Sequence, residues 1–360
     1  LKEMDKMGID VQAISTSPSH YNYRIEPELN RQASRVVNER LAEIVASHPD
    51  RFVALGTVPM QDPKMAVAEL EYCMKKLGFR GLELGTNVGK TEIADPKYEK
   101  LWAKAQELGA VIFLHPSGFT DTSRMKEHFL TNVIGNPLDT TMAIAHIVYG
   151  GILERYPKLK IVAAHGGGYM GHYPARMDHA YRVRPECHDF ITRPPSYYMK
   201  KIYYDTMVFG EAQLEHLVKL WGESHVVIGT DYPYDMGYYK PVDFIERTAS
   251  LTRKQKDAII GGNAAGLSAA SRAKRLDPRL KITVIEQGPQ ISYSTCGIPY
   301  YLANIVAPDS LISYTPESFE KERGIKVAAN TRIDNLEPGR KRVTGVRADT
   351  GEKQEFFYDR

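Results

Sequence analysis

From about residue 10 to residue 260 the sequence repeats one pattern: a short apolar run, a loop and an amphipathic helix. The apolar runs are VQAIST (11–16), FVALGTVPM (52–60), GLELGT (81–86), AVIFLHP (110–116), KIVAAHGG (160–167), KIYYDTMV (201–208) and HVVIGTDYP (225–233). Nearly continuous apolar strands separated by helices predict a parallel sheet that is buried on both faces. A closed barrel of this type has eight strands. We therefore predict an α/β fold with a (β/α)8-type TIM barrel that lacks its first strand, in a chain that begins within a helical pattern.

The pattern changes after residue 265. AAGLSAASRAKRLDPRL has the composition of a small-residue helix, KITVIEQG is an apolar strand that ends at Glu286, and the tail from residue 324 alternates as antiparallel strands do. We predict two domains, a barrel over residues 1–262 and a partial Rossmann-like α/β fragment over residues 263–360.

Composition excludes several classes of protein. Apolar residues make up 42% of the chain and charged residues 25%, as in globular proteins, and the net charge of +3 is too small to indicate nucleic acid or a membrane surface. No apolar run approaches the roughly 20 residues that span a bilayer. Three widely spaced cysteines fit a reducing compartment better than a disulfide framework. We expect a cytoplasmic protein with neither nucleic acid nor membrane as a partner.

Polar side chains end three of the predicted strands. His115 ends VIFLHP, His165 ends IVAAHGGG and Asp231 ends VVIGTDYP. Barrels of this type keep their chemistry at the carboxyl ends of the strands, where imidazole and carboxylate groups can bind a divalent metal. Each residue taken alone could instead be a hydrogen-bonded strand-end residue. Three at equivalent positions, one of them followed by glycines that let a ligand approach the backbone, favour a metal site.

These motifs carry a resemblance to a known family. MDKMGIDVQAISTSP, RFVALGTVPMQDP, FLHP, GGILERYPKLKIVAAHGGG, KIYYDTMV and GTDYPYDMG follow one another in residues 1–265. This order resembles the amidohydrolase superfamily, in its decarboxylase branch typified by 2-amino-3-carboxymuconate-6-semialdehyde decarboxylase. The resemblance implies a metal-dependent carboxy-lyase that removes carbon dioxide from a muconate-type or aromatic carboxylic acid. A hydrolase or hydratase on the same scaffold is the alternative within this class.

The resemblance also implies roles for individual residues. His115 and Asp231 match ligands of zinc or another divalent metal, and His165 matches the general acid/base beside it. Arg176 in PARMDHA matches an arginine that binds the substrate carboxylate of the neighbouring subunit, which implies a homodimer; a surface ion pair is the alternative for this residue. The family's His-x-His ligand pair has no counterpart, because no HxH string occurs in the sequence. We therefore expect weak metal binding and impaired activity.

A second motif, GGNAAG at residues 261–266, lies between a strand-like AII and the small-residue helix. Together with SYSTCGIPYY, residues 259–360 resemble the coenzyme A-disulfide reductase and NADH oxidase branch of the pyridine nucleotide-disulfide oxidoreductases. The resemblance implies that Gly261, Gly262, Gly266 and Glu286 bind FAD and that Cys296 is a redox thiol. The alternative for Cys296 is a buried inert thiol.

The two resemblances overlap at the same residues, which indicates a chimera. KDAII (256–260) cannot be both the last helix of the barrel and the first strand of the flavin fragment. We predict the helix, because the barrel is the more complete of the two. An FAD-dependent oxidoreductase fragment and an inactive chimera remain alternative interpretations of the chain's function.

Overall fold

The computed structural model describes residues 1–118, 122–260, 274, 277–287, 292–293 and 312–359. Backbone contacts divide the chain into two compact units, Leu1–Ile260 and Gly261–Arg360. Each unit has a hydrophobic core of its own.

The first unit contains a seven-stranded sheet whose strands are arranged in chain order. These strands are β1 Gln12–Ile14, β2 Phe52–Gly56, β3 Gly81–Leu84, β6 Val111–Leu114, β7 Lys160–Ala163, β8 Tyr203–Asp205 and β9 Val226–Val227, and a small hairpin of β4 Asn87–Val88 and β5 Thr91–Glu92 follows β3. Every neighbouring pair in the large sheet is parallel. Within the described ranges no pairing closes the sheet between β1 and β9. The predicted α/β fold, a TIM-type sheet of seven strands, is confirmed.

Helices connect the strands. They are α1 Lys2–Met7, α2 Pro27–Ser47, α3 Pro63–Lys75, α4 Glu99–Leu108, α5 Asn136–Tyr149, α6 Ile152–Arg155, α7 Gly168–His172, α8 Ala175–Val183, α9 Pro195–Met199, α10 Glu211–Trp221, α11 Pro241–Arg247 and α12 Arg253–Ile260. Helix α3 begins where Asp62 accepts hydrogen bonds from the backbone N–H groups of Lys64 and Met65, with Pro63 in the first turn. None of the helices described in the structure is both long enough and apolar enough to cross a membrane.

The core of this unit lies on both faces of the sheet. All four residues of β3 are buried, as are Ile112 and Leu114 of β6 and Ile161 of β7. The helices contribute large apolar side chains to the same cluster, including Trp102 from α4 and Leu217 from α10. Burial on both faces explains why the strands are apolar nearly throughout instead of alternating with polar residues.

The second unit contains short strands and one described helix. Its elements are β10 Thr283–Ile285, β11 Ser292–Tyr293, β12 Ile312–Tyr314, α13 Pro316–Arg323, β13 Lys326–Ala328, β14 Thr331–Glu337, β15 Arg342–Arg347 and β16 Lys353–Phe357. Strands β10 and β13 are parallel, whereas β14, β15 and β16 form an antiparallel sheet. The strand expected before Glu286 and the antiparallel tail are therefore both present.

The junction segment is helical. Residues 256–260 lie within α12, and Ile259 is buried in the core of the first unit. The prediction that KDAII forms a helix and not a strand is therefore confirmed. Gly261, Gly262, Gly266 and Cys296 lie outside the described residues.

Candidate active site

His115 lies at the carboxyl end of the sheet, directly after β6. Its backbone N–H donates to the carbonyl of Leu84, which extends the pairing of β6 with β3 by one residue. The side-chain Nδ1 lies 2.9 Å from the carbonyl oxygen of Pro116. A carbonyl can only accept, so this hydrogen bond requires the proton on Nδ1. The lone pair of the neutral ring is therefore on Nε2, the nitrogen that remains free to bind a cation.

His165 lies on a sharp turn after β7. The turn His165–Gly167 is a 3₁₀ segment in which His165 has a φ of 56°. This left-handed conformation is uncommon for a residue with a side chain and occurs often at functional sites. Asp205, at the end of β8, accepts a hydrogen bond from the backbone N–H of Gly166 at 2.8 Å and from that of Met207 at 3.0 Å. The carboxylate of Asp205 thus fixes the turn that carries His165.

Asp231 follows β9 and also has a left-handed backbone, with a φ of 50°. Burial raises the pKa of its carboxyl group, His115 acts in the opposite direction, and Asp235 adds to the rise. The loop continues with a cis peptide bond between Tyr232 and Pro233.

The structure brings these three side chains together. Nε2 of His115 lies 3.8 Å from Oδ1 of Asp231, and the rings of His115 and His165 are 5.1 Å apart between centroids. Metal–nitrogen and metal–oxygen bonds of about 2.0–2.2 Å allow two donors of one ion to lie up to about 4.3 Å apart. His115 and Asp231 therefore fit a shared divalent cation.

The protein supplies only these two donors within the part of the chain that the structure describes. No group of three or more His, Cys, Asp and Glu side chains there could hold a metal ion. Divalent cations such as Mg²⁺ commonly keep several waters and take few protein ligands. A cation at this position would fill its other coordination positions with oxygen atoms of water or substrate.

His165 differs electrostatically from its neighbour. Burial, with a smaller contribution from His115, lowers the pKa of His165 to about 3, so the ring is neutral at pH 7. Its Nδ1 atom is buried without a hydrogen-bond partner among the described residues. Buried polar atoms are normally satisfied, so an unsatisfied imidazole nitrogen at a strand end indicates a position for a ligand atom.

Two buried acidic residues near the site, Glu83 and Asp205, were not predicted from the sequence. Glu83 on β3 is 2% exposed, and the hydroxyl of Tyr21, itself buried, donates to its Oε1 at 2.5 Å. The position of Glu83 within the otherwise apolar run GLELGT could have indicated a buried carboxyl group. Asp205 was also missed, although it ends its strand in the same way as the three predicted residues.

The other predicted site residues are not part of this cluster. Arg176 is exposed on α8, and no hydrogen bond or ion pair in the described part of the chain links it to the three strand-end residues. Glu286 follows β10, where its backbone N–H donates to Ala328 and its carbonyl accepts from Thr331. The roles predicted for Arg176 and Glu286 remain predictions.

Residues 1–267 match the family described as Amidohydrolase. The chain belongs to the amidohydrolase family. It is 33% identical over 265 residues to the 2-amino-3-carboxymuconate-6-semialdehyde decarboxylase of Dictyostelium discoideum, a match that covers 73% of this chain and 74% of that protein. The amidohydrolase relatives are named enzymes, so the family assignment identifies an enzyme.

The amidohydrolase fold is also similar to solved structures. The structure of a dihydroxybenzoic acid decarboxylase from Polaromonas sp. JS666, with bound manganese and the inhibitor 2-nitroresorcinol, has a TM-score of 0.67 and 25% identity. The match covers 77% of this chain and 86% of that one. A relative with this fold thus binds a divalent metal, in agreement with the donor pair of the amidohydrolase unit.

Residues 256–360 match a second family, described as Pyridine nucleotide-disulphide oxidoreductase. Over 100 residues they are 45% identical to the NAD(P)H coenzyme A polysulfide/persulfide reductase of Pyrococcus horikoshii, which covers 28% of this chain but only 22% of that protein. The two family matches overlap at residues 256–267. The predicted combination of two families in one chimera-like chain is confirmed.

Proposed function

We propose that the amidohydrolase unit catalyses the non-oxidative decarboxylation of a carboxylated aromatic or muconate-type acid, with a divalent cation as cofactor. One observation carries this proposal: His115, His165 and Asp231 meet at the carboxyl end of the sheet. Named decarboxylases among the amidohydrolase relatives support the reaction type.

The cation would be held by Nε2 of His115 and Oδ1 of Asp231. Zinc is the metal implied by the sequence resemblance, and the Polaromonas relative contains manganese. A bound divalent cation stabilises negative charge on substrate oxygen atoms. The left-handed backbone at Asp231 holds its carboxylate near His115, so the protein positions both donors before a ligand arrives.

His165 would carry the proton. Because its ring is neutral and its buried Nδ1 has no partner in the described residues, it can accept a proton there from a ligand atom that enters the site. In the reaction the bond between carbon and the carboxyl group breaks, and its electron pair stays on the carbon. That carbon takes the proton from His165 as carbon dioxide leaves. The hydrogen bond from Gly166 to Asp205 keeps the imidazole in place during the transfer.

We further propose that Arg176 binds the substrate carboxylate of a neighbouring subunit in a homodimer. Its exposure on α8 leaves the guanidinium free to reach a second chain. Replacing Arg176 with Ala should raise KM for the acid more than it lowers kcat, because the residue contributes binding and not proton transfer.

The reaction can be tested in D2O with 2,6-dihydroxybenzoate and related aromatic acids in the presence of Mn²⁺ or Zn²⁺. The product should carry deuterium at the carbon that lost the carboxyl group, as measured by NMR. His165→Asn should abolish this incorporation, whereas His146→Asn, at an exposed histidine that pairs with Glu92, should not. No product with any carboxylated aromatic or muconate-type acid would contradict the proposal.

A second candidate function belongs to the C-terminal unit. Strand β10 pairs in parallel with β13 and is followed by the acidic Glu286, the position of the ribose-binding carboxylate in dinucleotide-binding folds. We propose that this unit binds FAD through Glu286 and the glycines at 261, 262 and 266, with Cys296 as the redox thiol. Visible flavin absorbance that remains with the purified chain, and decreases in Glu286→Gln, would support it; colourless protein that binds no added FAD would contradict it.

A further inference from the structure

Glu83 is a buried carboxylic acid without a Lys or Arg partner in the part of the chain that the structure describes. Its exposure is 2%, and no Lys or Arg among the described residues forms an ion pair with it. Its hydrogen bonds come from neutral hydroxyl groups, those of Tyr21 and Ser15. A buried carboxylate normally has a positive partner or a metal, because burial removes the hydration that stabilises its charge.

Glu83 faces the same side of the sheet as His115. It lies opposite Phe113 in the pairing of β3 with β6, so the two side chains share a face. Phe113 and His115 also share a face because they are two residues apart, and their rings are 5.9 Å apart. The hydroxyl of Tyr21 contacts both groups, at 2.5 Å from Glu83 and 3.3 Å from the carbonyl oxygen of His115.

Two carboxylates therefore face the same histidine. Oδ1 of Asp231 lies 3.8 Å from Nε2 of His115, and Glu83 lies on the face of the sheet that this ring shares. Like charges in a buried site repel each other, and a divalent cation compensates for both. The two carboxylates together carry the two negative charges that neutralise such an ion.

We infer that Glu83 is an outer carboxylate of the cation site, which increases the affinity of His115 and Asp231 for a divalent cation without binding the ion directly. Tyr21 is the residue that positions it. This inference rests on the proposed function, in which His115 and Asp231 hold the cation. It adds that Glu83 and Tyr21, and not only the two direct ligands, determine how tightly the ion is bound.

The test is a titration of the full chain with Mn²⁺, in which electron paramagnetic resonance measures the free ion. Removing an outer partner of a metal site weakens affinity by about 10- to 100-fold, and we expect Glu83→Gln to fall in this range. Tyr21→Phe should weaken binding by a smaller factor, since the charge remains. The matched control is Asp139→Asn: Asp139 is also buried, and its hydrogen bonds come from the neutral groups of Thr86 and Asn87. This variant should bind Mn²⁺ as the unchanged chain does.

An affinity for Mn²⁺ that is the same in Glu83→Gln and the unchanged chain would overturn the inference, as would the absence of Mn²⁺ binding by the unchanged chain. If Glu83→Gln does not fold, Glu83→Asp keeps the charge and should retain more affinity than Glu83→Ala. The titration needs no substrate. A chain that binds Mn²⁺ in the expected order but decarboxylates nothing therefore supports the role of Glu83 and contradicts the proposed function.

Discussion

The hydroxyl oxygens of Ser17 and Tyr234 lie 2.5 Å apart, although the two residues are separated by 217 positions in the chain. Ser17 follows the first strand of the sheet, and Tyr234 belongs to the loop after the last strand. The backbone N–H of Tyr234 also donates to the carbonyl of Asp231. This contact joins the two edges of the sheet at its carboxyl end and holds the loop that carries Asp231.

Replacing Tyr234 with Phe should therefore destabilise the first unit. Loss of one hydrogen bond costs about 0.5–1.5 kcal/mol, and partial exposure of Tyr234 places the expected cost near the lower end. Urea denaturation measures the change. Tyr197→Phe is the control, because Tyr197 is similarly exposed and its hydroxyl has no hydrogen-bond partner among the described residues. Equal stability of the two variants would show that the contact between the sheet edges contributes nothing.

Gly166 should tolerate no side chain. It has a φ of 59°, and a Cβ atom there would lie 2.4 Å from Cγ1 of Val208. Gly89 has a similar φ of 65° but open space around it. Both substitutions to Ala incur the left-handed backbone cost of about 1–2 kcal/mol, and Gly166→Ala adds about 1–3 kcal/mol of overpacking. Thermal or urea unfolding of the two variants compares them directly, and equal losses would contradict the close approach at Gly166.

Asp205 should make stability depend on pH. Burial raises the pKa of Asp205 to about 6, although hydrogen bonds from Gly166 and Met207 oppose this effect, whereas an aspartate in the unfolded chain titrates near pH 4. The folded state therefore binds the proton more tightly than the unfolded state does. Protonated Asp205 contributes to the free energy of unfolding below about pH 4, and this contribution is lost as the pH rises to about 6. A shift of two units corresponds to about 3 kcal/mol.

Asp205→Asn cannot titrate, so its free energy of unfolding should lack this component. Urea denaturation at several values between about pH 4 and pH 6 gives the slope for each protein. As the pH rises from about 4 to about 6, we expect the free energy of unfolding of Asp205→Asn to increase relative to that of the unchanged chain. Parallel pH profiles would contradict a raised pKa for Asp205.

A chain that ends at Ile260 should fold by itself. The large core cluster consists of residues between Ile14 and Ile260, all in the first unit, and Phe319 and Ile325 belong to a different cluster. Helix α12 remains whole in such a chain. Its urea midpoint should match the transition of the first unit in the full chain. Loss of cooperative unfolding would show that the second unit is needed for the first to fold.

The sequence predicted the sheet and three of the residues that meet in the site. Strands buried on both faces leave a strong apolar signal, and a His or Asp at the end of such a run lies at the sheet edge. The observed strands are shorter than the apolar runs: the last run, residues 225–233, contains only Val226–Val227 as strand. Beyond the last paired residue the chain leaves the sheet, but the apolar run continues with Ile228, which is half-buried against the core.

The rest of the site depended on three-dimensional relationships. The left-handed conformations of His165 and Asp231 and the hydrogen bond from Gly166 to Asp205 have no signature in local sequence. Glu83 was hidden by its position within a strand, because only the register with β6 shows that it faces His115. The role of Arg176 could not be read from one chain, since the predicted partner of its guanidinium lies on a second subunit.

In the proposed site, His115 and Asp231 hold one divalent cation beside His165. Crystals of the full chain grown with Mn²⁺ test it most directly, because anomalous scattering locates the ion without any assumption about activity. We predict a single peak in the first unit, about 2.0–2.3 Å from both Nε2 of His115 and Oδ1 of Asp231, that is absent from a crystal of His115→Ala. A peak elsewhere in the unit, or one that persists at the same position in His115→Ala, would show that His115 and Asp231 do not hold the cation.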